Sequence, residues 1–300
     1  MIAGCSGFKP RLGATFMERE QREAGIGACR EIAPGVYCVE MGTGINRSNV
    51  YFVRSGSSWV LIDAASAHCG QLIRKTAESL FGANTPPASI LLTHDHPDHA
   101  GSVRELVLMW DCPVFVHPDE LPLAAVGDLS TVRRYANPLD RWVILPLLRA
   151  MPQRRVESML SKASLKDMVR AFDPCAAVPG LPDWECIPTP GHTPGHVAFF
   201  RNRDRTLITG DALVTVDLNS LWGFLLWSLH LNKQIVSGPP WYSTWRWLAA
   251  KESVAVLAKL EPRVLACGHG SPMRGDQVVR ELRAFAERFS CPPPKSTPKQ

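Results

Sequence analysis

Three hundred residues with 45% hydrophobic and 20% charged side chains and a formal net charge of +5 make ordinary globular usage, which excludes a disordered chain, a collagen and a coiled coil. A chain of this length buries roughly three quarters of its unfolded surface without a disulfide scaffold, and its nine cysteines contain no C-x-x-C pair, unlike a secreted cysteine framework. The longest apolar run, Leu221 to Leu231, is too short for a bilayer span of about 20 residues, and Met1 to Arg30 holds no apolar stretch of signal-peptide length, so the expectation is a reduced, soluble, cytoplasmic protein.

Residues 1–30 read as an N-terminal extension, and Met17 is an alternative start. Val36–Met41, Val50–Arg54 and Trp59–Asp63 are short β-branched or aromatic runs separated by Gly-Ile-Asn and Ser-Gly-Ser-Ser, the pattern of a strand meander. The spacing of Leu72, Ile73, Ala77 and Leu80 predicts a helix over 68–81, stopped by Gly82. A buried strand over 89–93, a helix over 101–110 and a strand over 113–117 follow. From about Glu120 to Phe172 there is no strand signal, only helical pieces broken by Pro138, Pro146 and Pro152, which reads as a helical insertion at about 120–175. Strands resume at 184–188, 197–201 and 206–209. A helix over 244–260 with Thr244 as N-cap, a strand over 263–267 and a helix over 277–289 complete the main domain, 31–290. The Pro/Lys-rich tail 291–300 reads as disordered. Strand-rich halves that each end in helices predict two sheets face to face with helices outside.

The charge is uneven. Residues 133–170 hold nine basic side chains against three acidic ones, either a site for an anionic group or a solvated helical face.

The chemistry concentrates at strand ends. His94-Asp95-His96-Pro97-Asp98-His99 follows the strand Ser-Ile-Leu-Leu-Thr and packs three imidazoles and two carboxylates into six residues. His94 and His96, two apart on an extended segment, point the same way, while Asp98 and His99 turn toward a second point. His192 in Thr-Pro-Gly-His-Thr-Pro-Gly-His, Asp211 in Leu-Ile-Thr-Gly-Asp and His269 in Cys-Gly-His-Gly each sit beside a glycine, which lets backbone approach a crowded centre. Imidazole and carboxylate suit Zn²⁺, Fe or Mn. His68, His117 and His230 read as ordinary polar residues.

These motifs, in order from Asp63 to His269, resemble the metallo-β-lactamase superfamily, with a metal site like those of glyoxalase II and the lactonases. The resemblance implies an α/β (α+β) fold, an αββα sandwich of two mixed β-sheets flanked by helices. It implies two Zn²⁺, one held by His94, His96 and His192, the other by Asp98, His99 and His269, with Asp211 bridging. It also implies a catalytic role for Asp98 and Asp211 in a hydrolase whose metal-bridging hydroxide attacks an ester, thioester or lactone carbonyl. Asp63 would support a ligand loop, unless it only caps a turn, and His196 would support rather than ligate.

Departures narrow the branch. Position 96 is His rather than the Glu of flavodiiron oxidoreductases, and the bridging residue is Asp211 rather than the Cys or Ser of β-lactamases. Position 214 is Val where the acyl-homoserine lactonases place tyrosine, and the glutathione-binding residues of glyoxalase II are not recognisable. A mononuclear-iron persulfide dioxygenase is the alternative. A phosphodiesterase or nuclease ranks lower, because the basic residues form no long groove and no nucleic-acid partner is expected. Five of nine tryptophans fall between Trp222 and Trp247. Trp222, Trp227, Trp241 and Tyr242 are candidates for a mouth that takes a small molecule with an apolar group, with core or homodimer packing as the other readings of the run.

Overall fold

The structure, a computed structural model, describes residues 28–290. The expected tail and all but the end of the expected N-terminal extension lie outside the described residues.

The chain builds two sheets. In the first, β1 (Arg30–Ala33), β2 (Val36–Met41), β3 (Ser48–Ser55) and β4 (Ser58–Ile62) form an antiparallel meander. Helix α1 (Gly70–Phe81) then returns the chain to β5 (Ser89–Leu91), parallel to β4. Gly82 lies at φ 100° and closes α1 with its N–H on the Glu78 carbonyl, a backbone state that glycine adopts without strain. After β5 come α2 (Pro97–Ala100) and α3 (Val103–Trp110), then β6 (Val114–Val116), again parallel. The predicted helix start at Gly101 moves to Val103, because the Gly101 N–H is taken by the Ala65 carbonyl at 2.9 Å.

The expected insertion contains α4 (Leu121–Ala124), α5 (Leu129–Arg134), a π turn over Asp140–Ile144 that leads into α6 (Leu145–Ala150), and α7 (Gln153–Ala163). It also contains a strand. Val169–Ala171, β7, pairs in parallel with β6 at the edge of the seven-stranded sheet, a correction to the purely helical reading. Three residues, Val-Arg-Ala, with one buried side chain carry too little alternation to be read as a strand.

The second sheet has the order β12-β11-β10-β9-β8. Its strands are β8 (Glu185–Pro188), β9 (Val197–Arg201), β10 (Thr206–Ile208), β11 (Val264–Ala266) and β12 (Met273–Arg274), and only β10 and β11 run parallel. Between β10 and β11 lie α8 (Leu221–Ser228), which is the long apolar run, and α9 (Trp247–Lys259). Helix α10 (Asp276–Ser290) closes the described chain. Thr244 is not the N-cap of α9. Arg246 holds that position without a side-chain cap, and the Thr244 hydroxyl donates to the Pro240 carbonyl at 2.7 Å.

Period-two alternation separates the layers. Tyr51, Val53, Ile62 and Leu91 face Val197, Phe199, Ile208 and Ala266 between the sheets. Their neighbours Phe52, Leu61 and Ile90 face outward onto Ile73, Val103 and Leu106 of α1 and α3. Phe200, Leu207 and Leu265 pack on Val254, Leu257 and Leu282 of α9 and α10. The result is the αββα sandwich, and the strand ends after β4, β5, β10 and β11 converge on one edge between the sheets.

Candidate metal centre

At that edge the expected residues meet. His94, His96 and His192 offer atoms within 4.8 Å of one another, as do His94, His99 and Asp211, and Asp98, His99 and His269. The Asp211 carboxylate lies among all of them, 3.5 Å from His192 Nε2, 3.4 Å from His99 Nε2 and 3.2 Å from His269 Nε2. A Cβ on Gly268 would stand 2.0 Å from Asp211 Oδ1 and 2.7 Å from His99 Cε1, so only glycine allows the β11 turn this close.

The hydrogen bonds fix the tautomers. The Thr93 hydroxyl donates to Asp63 at 2.9 Å, so it accepts from His94 Nδ1–H at 3.0 Å. His99 Nδ1–H donates to Asp63 Oδ2 at 2.8 Å, His269 Nδ1–H to the Arg47 carbonyl at 2.7 Å, and His192 Nδ1–H to the Thr244 hydroxyl at 3.2 Å. Four imidazoles are thus pinned through Nδ1, which leaves each Nε2 with a lone pair aimed inward. His96 Nδ1 stands 3.0 Å from His192 Nε2. The buried atoms His94 Nε2, His99 Nε2 and Asp211 Oδ1 have no hydrogen-bond partner, and each such atom costs about 1–3 kcal/mol unless something pairs with it. This convergence of lone pairs is what divalent cations satisfy, and the donor set fits them.

His196 differs. The Asp211 N–H donates to its Nε2 at 3.0 Å and its Nδ1 faces the Thr189 hydroxyl at 2.7 Å. Both nitrogens are occupied, so it orients Asp211. Asp63 sits at φ 62° beyond β4 and also accepts the Thr93 N–H at 2.8 Å.

Electrostatics divide the set in two. Burial, reinforced by neighbouring imidazoles, holds His94 and His192 well below the usual histidine range and His196 at about 3. His94 and His192 are thus neutral, as ligands must be. Burial acts in the same direction on His99 and His269, but the carboxylates outweigh it. Asp211, Asp98 and Asp63 raise His99 well above its ordinary value, and Asp211 and Asp98 raise His269 to about 10. A field that favours a proton there also favours a cation.

Of the aromatic candidates, Trp227 and Tyr242 adjoin the cluster. The Trp227 ring meets His269 edge-on at 5.6 Å and lies under the Arg47 guanidinium at 4.3 Å. Burial and then the charges of Asp211 and Asp98 push the Tyr242 phenol up to about 12, which keeps it a donor at neutral pH. Trp222 and Trp241 are exposed, and the Trp241 ring meets Tyr242 edge-on at 6.0 Å. Trp227 fills the space beneath α8 with Val214, Val216 and Leu218. Trp227→Ala is expected to cost about 3–5 kcal/mol, read from the denaturation midpoint.

Glu120 was missed by the sequence reading, which placed it at the start of the insertion. It is fully buried just beyond β6. Its carboxylate accepts the Asp95 N–H at 2.7 Å, the Thr193 hydroxyl at 2.8 Å and the Gly195 N–H at 2.8 Å, tying the loop of His94 and His96 to the loop of His192. Burial raises it to about 7 against the pull of these hydrogen bonds. Its signal was positional, a third strand end on the same edge. Glu120→Ala is expected to weaken cation affinity about 10–100-fold, measured by competition with a coloured chelator.

A sequence profile described as the metallo-beta-lactamase superfamily matches residues 43–269. The chain belongs to the metallo-beta-lactamase superfamily. Members use divalent metal ions, in keeping with the His/Asp clusters. The chain is 35% identical to the probable metallo-hydrolase YflN of Bacillus subtilis over 268 residues, covering 88% of this chain and 94% of that protein. It is 26% identical to the hydroxyacylglutathione hydrolase of Bdellovibrio bacteriovorus over 204 residues, 66% of this chain and 61% of that one. Among solved structures, the metallo-beta-lactamase family protein TTHA1429 of Thermus thermophilus shares the fold with a TM-score of 0.57 at 21% identity, over 87% of this chain and 79% of its own.

Proposed function

We propose that the protein is a dinuclear metal-dependent hydrolase, with zinc as the resident metal, that opens an ester, thioester or lactone of a small, partly apolar molecule. The observation that carries this reading is the Asp211 carboxylate lying within 3.5 Å of donors from both halves of the cluster, which favours two cations sharing one ligand over a single isolated one. His94, His96 and His192 would hold the first, Asp98, His99 and His269 the second, and Asp211 both. When bound, such a pair supplies Lewis acidity at the substrate carbonyl and lowers the pKa of an attacking water.

The protein's own residues do the rest. Asp98 Oδ2, 3.3 Å from His269 Nε2, lies on the partly exposed side and holds the proton that passes from the water to the leaving group. Thr93, Asp63, Thr244, Thr189 and the Arg47 carbonyl fix the imidazole rings, so no reorganisation accompanies turnover. Trp227 covers the His269 side against water, and Tyr242 donates to developing negative charge on the substrate. Tyr242→Phe is expected to lower kcat about 10- to 100-fold with KM little changed. An unchanged chemical step in single-turnover kinetics would remove tyrosine from the mechanism.

The experiment is metal content by plasma mass spectrometry on protein purified without added metal, followed by a panel of esters, thioesters and lactones. About two zinc per chain with turnover of one class supports the reading. One iron per chain with oxygen uptake replaces it with the dioxygenase.

A further inference from the structure

The surface around the metal centre has the wrong polarity for water. Helix α8 exposes Leu221 at 82%, Trp222 at 73%, and also Leu225 and Leu226, with Leu229 exposed just after it, while Trp227 turns inward. A surface helix of a globular protein does the reverse and shows charge to solvent. The helical run of the insertion repeats the inversion. Trp142 is 82% exposed, with Leu139, Val143 and Leu147 beside it, while Leu145 and Leu148 are buried. Single exposed apolar residues need no explanation, but two helical faces of them do.

Both faces flank the same centre. Trp227 places α8 against His269. The insertion is tied to the His192 side, where the Tyr135 ring meets Trp245 at 5.6 Å and the Trp245 N–H donates to the His192 carbonyl at 3.0 Å.

Charge follows the same boundary. Residues 133–170 carry nine basic groups against three acidic ones, and 218–251 carry Lys233, Arg246 and Lys251 with no Asp or Glu. These two segments therefore hold a surplus of nine positive charges in a chain whose total is +5, so the remainder is acidic on balance. Arg133, Arg134, Arg141 and Arg149 are exposed alongside the apolar positions.

We propose that the rim formed by α8 and the insertion helices docks on an anionic lipid bilayer, with Leu221, Trp222 and Trp142 entering the interface and the arginines meeting the headgroups. Large aromatic and aliphatic groups interleaved with arginine on interfacial helices have this function, and clustered basic groups add attraction to anionic lipid. A second copy of the chain fits less well, because face-to-face pairing of two cationic insertions would be repulsive. The inference goes beyond the hydrolase reading and stands or falls without it, since it is tested by binding alone.

The test is co-sedimentation of the full-length, metal-loaded protein with vesicles of phosphatidylcholine alone or of phosphatidylcholine with phosphatidylglycerol. Expected is binding at least about tenfold tighter to the anionic vesicles, weakened as salt rises from about 0.1 M to about 0.5 M. Trp142→Glu with Leu221→Glu should abolish it, with metal content and thermal midpoint unchanged, because both positions are exposed. Arg133→Glu with Arg134→Glu and Arg149→Glu should remove the preference for anionic lipid. No vesicle binding, equal binding to neutral vesicles, or a stable homodimer that the Trp142→Glu and Leu221→Glu changes dissociate would each overturn the proposal.

Discussion

Asp98→Asn is expected to lower kcat by about 10²–10⁴-fold, the usual contribution of a positioned proton-transfer group. The substitution keeps the side chain's size and one oxygen while removing its charge and its capacity for a proton. Asp98 differs from the other carboxylates of the cluster in exposure. Its side chain is 25% accessible, against 4% for Asp211 and none for Asp63, so it alone borders both the donors and the substrate side. Burial would raise its pKa, yet His99 and His269 hold it below the usual carboxylate range, so it is a carboxylate rather than an acid at neutral pH. Metal content must be measured on the same sample. Full metal loading with lost turnover assigns Asp98 to proton transfer, lost metal assigns it to binding alone, and wild-type turnover removes it from the reaction.

Removing metal with a chelator is expected to abolish turnover and to lower the thermal midpoint by about 10 °C. The size follows from linkage, since a ligand at a thousand times its Kd contributes about 4 kcal/mol, and each kcal/mol moves a domain of this size by roughly 2–4 °C. The physical source is visible in the cluster. Asp63, Asp98 and Asp211 crowd His99 and His269, and inward lone pairs on His94, His99 and Asp211 meet no protein donor. Calorimetry with and without chelator, followed by zinc re-addition, reads both effects. A midpoint that does not move would argue against resident cations.

The donor set was legible because its chemistry is dense. His94 to His99 cannot be explained as packing, and the glycines beside His192, Asp211 and His269 announced close backbone approach. Strands of five or more residues, such as Val36–Met41 and Val197–Arg201, fell where β-branched and aromatic runs put them. Three-residue Val169–Ala171 and two-residue Met273–Arg274 are held in place by neighbours rather than by their own pattern, so local reading passed over them. Thr244 shows a different failure. A threonine ahead of a helical pattern has the signature of an N-cap, but its hydroxyl serves Pro240 and His192, and tertiary contact outweighed local capping. Glu120 was hidden for a related reason, because nothing in its neighbourhood announces partners at 193 and 195. The Trp-rich run could not be divided from sequence into Trp227, which turns inward, and Trp222, which turns outward, until its helical phase was known.

The last strand ends bear on how the chain is made. Tyr51 and Asn49 of β3 donate side-chain hydrogen bonds to the Cys267 carbonyl, Asn49 also to that of Gly270, and Arg47 holds His269. A segment synthesised early therefore waits for one synthesised late. On the ribosome, His192 is made 77 residues and Asp211 58 residues before His269, so the rest of the cluster waits about 3–12 s for its last member at ordinary elongation rates. The cluster therefore gathers in chain order, and His269 is the last of its residues to be made.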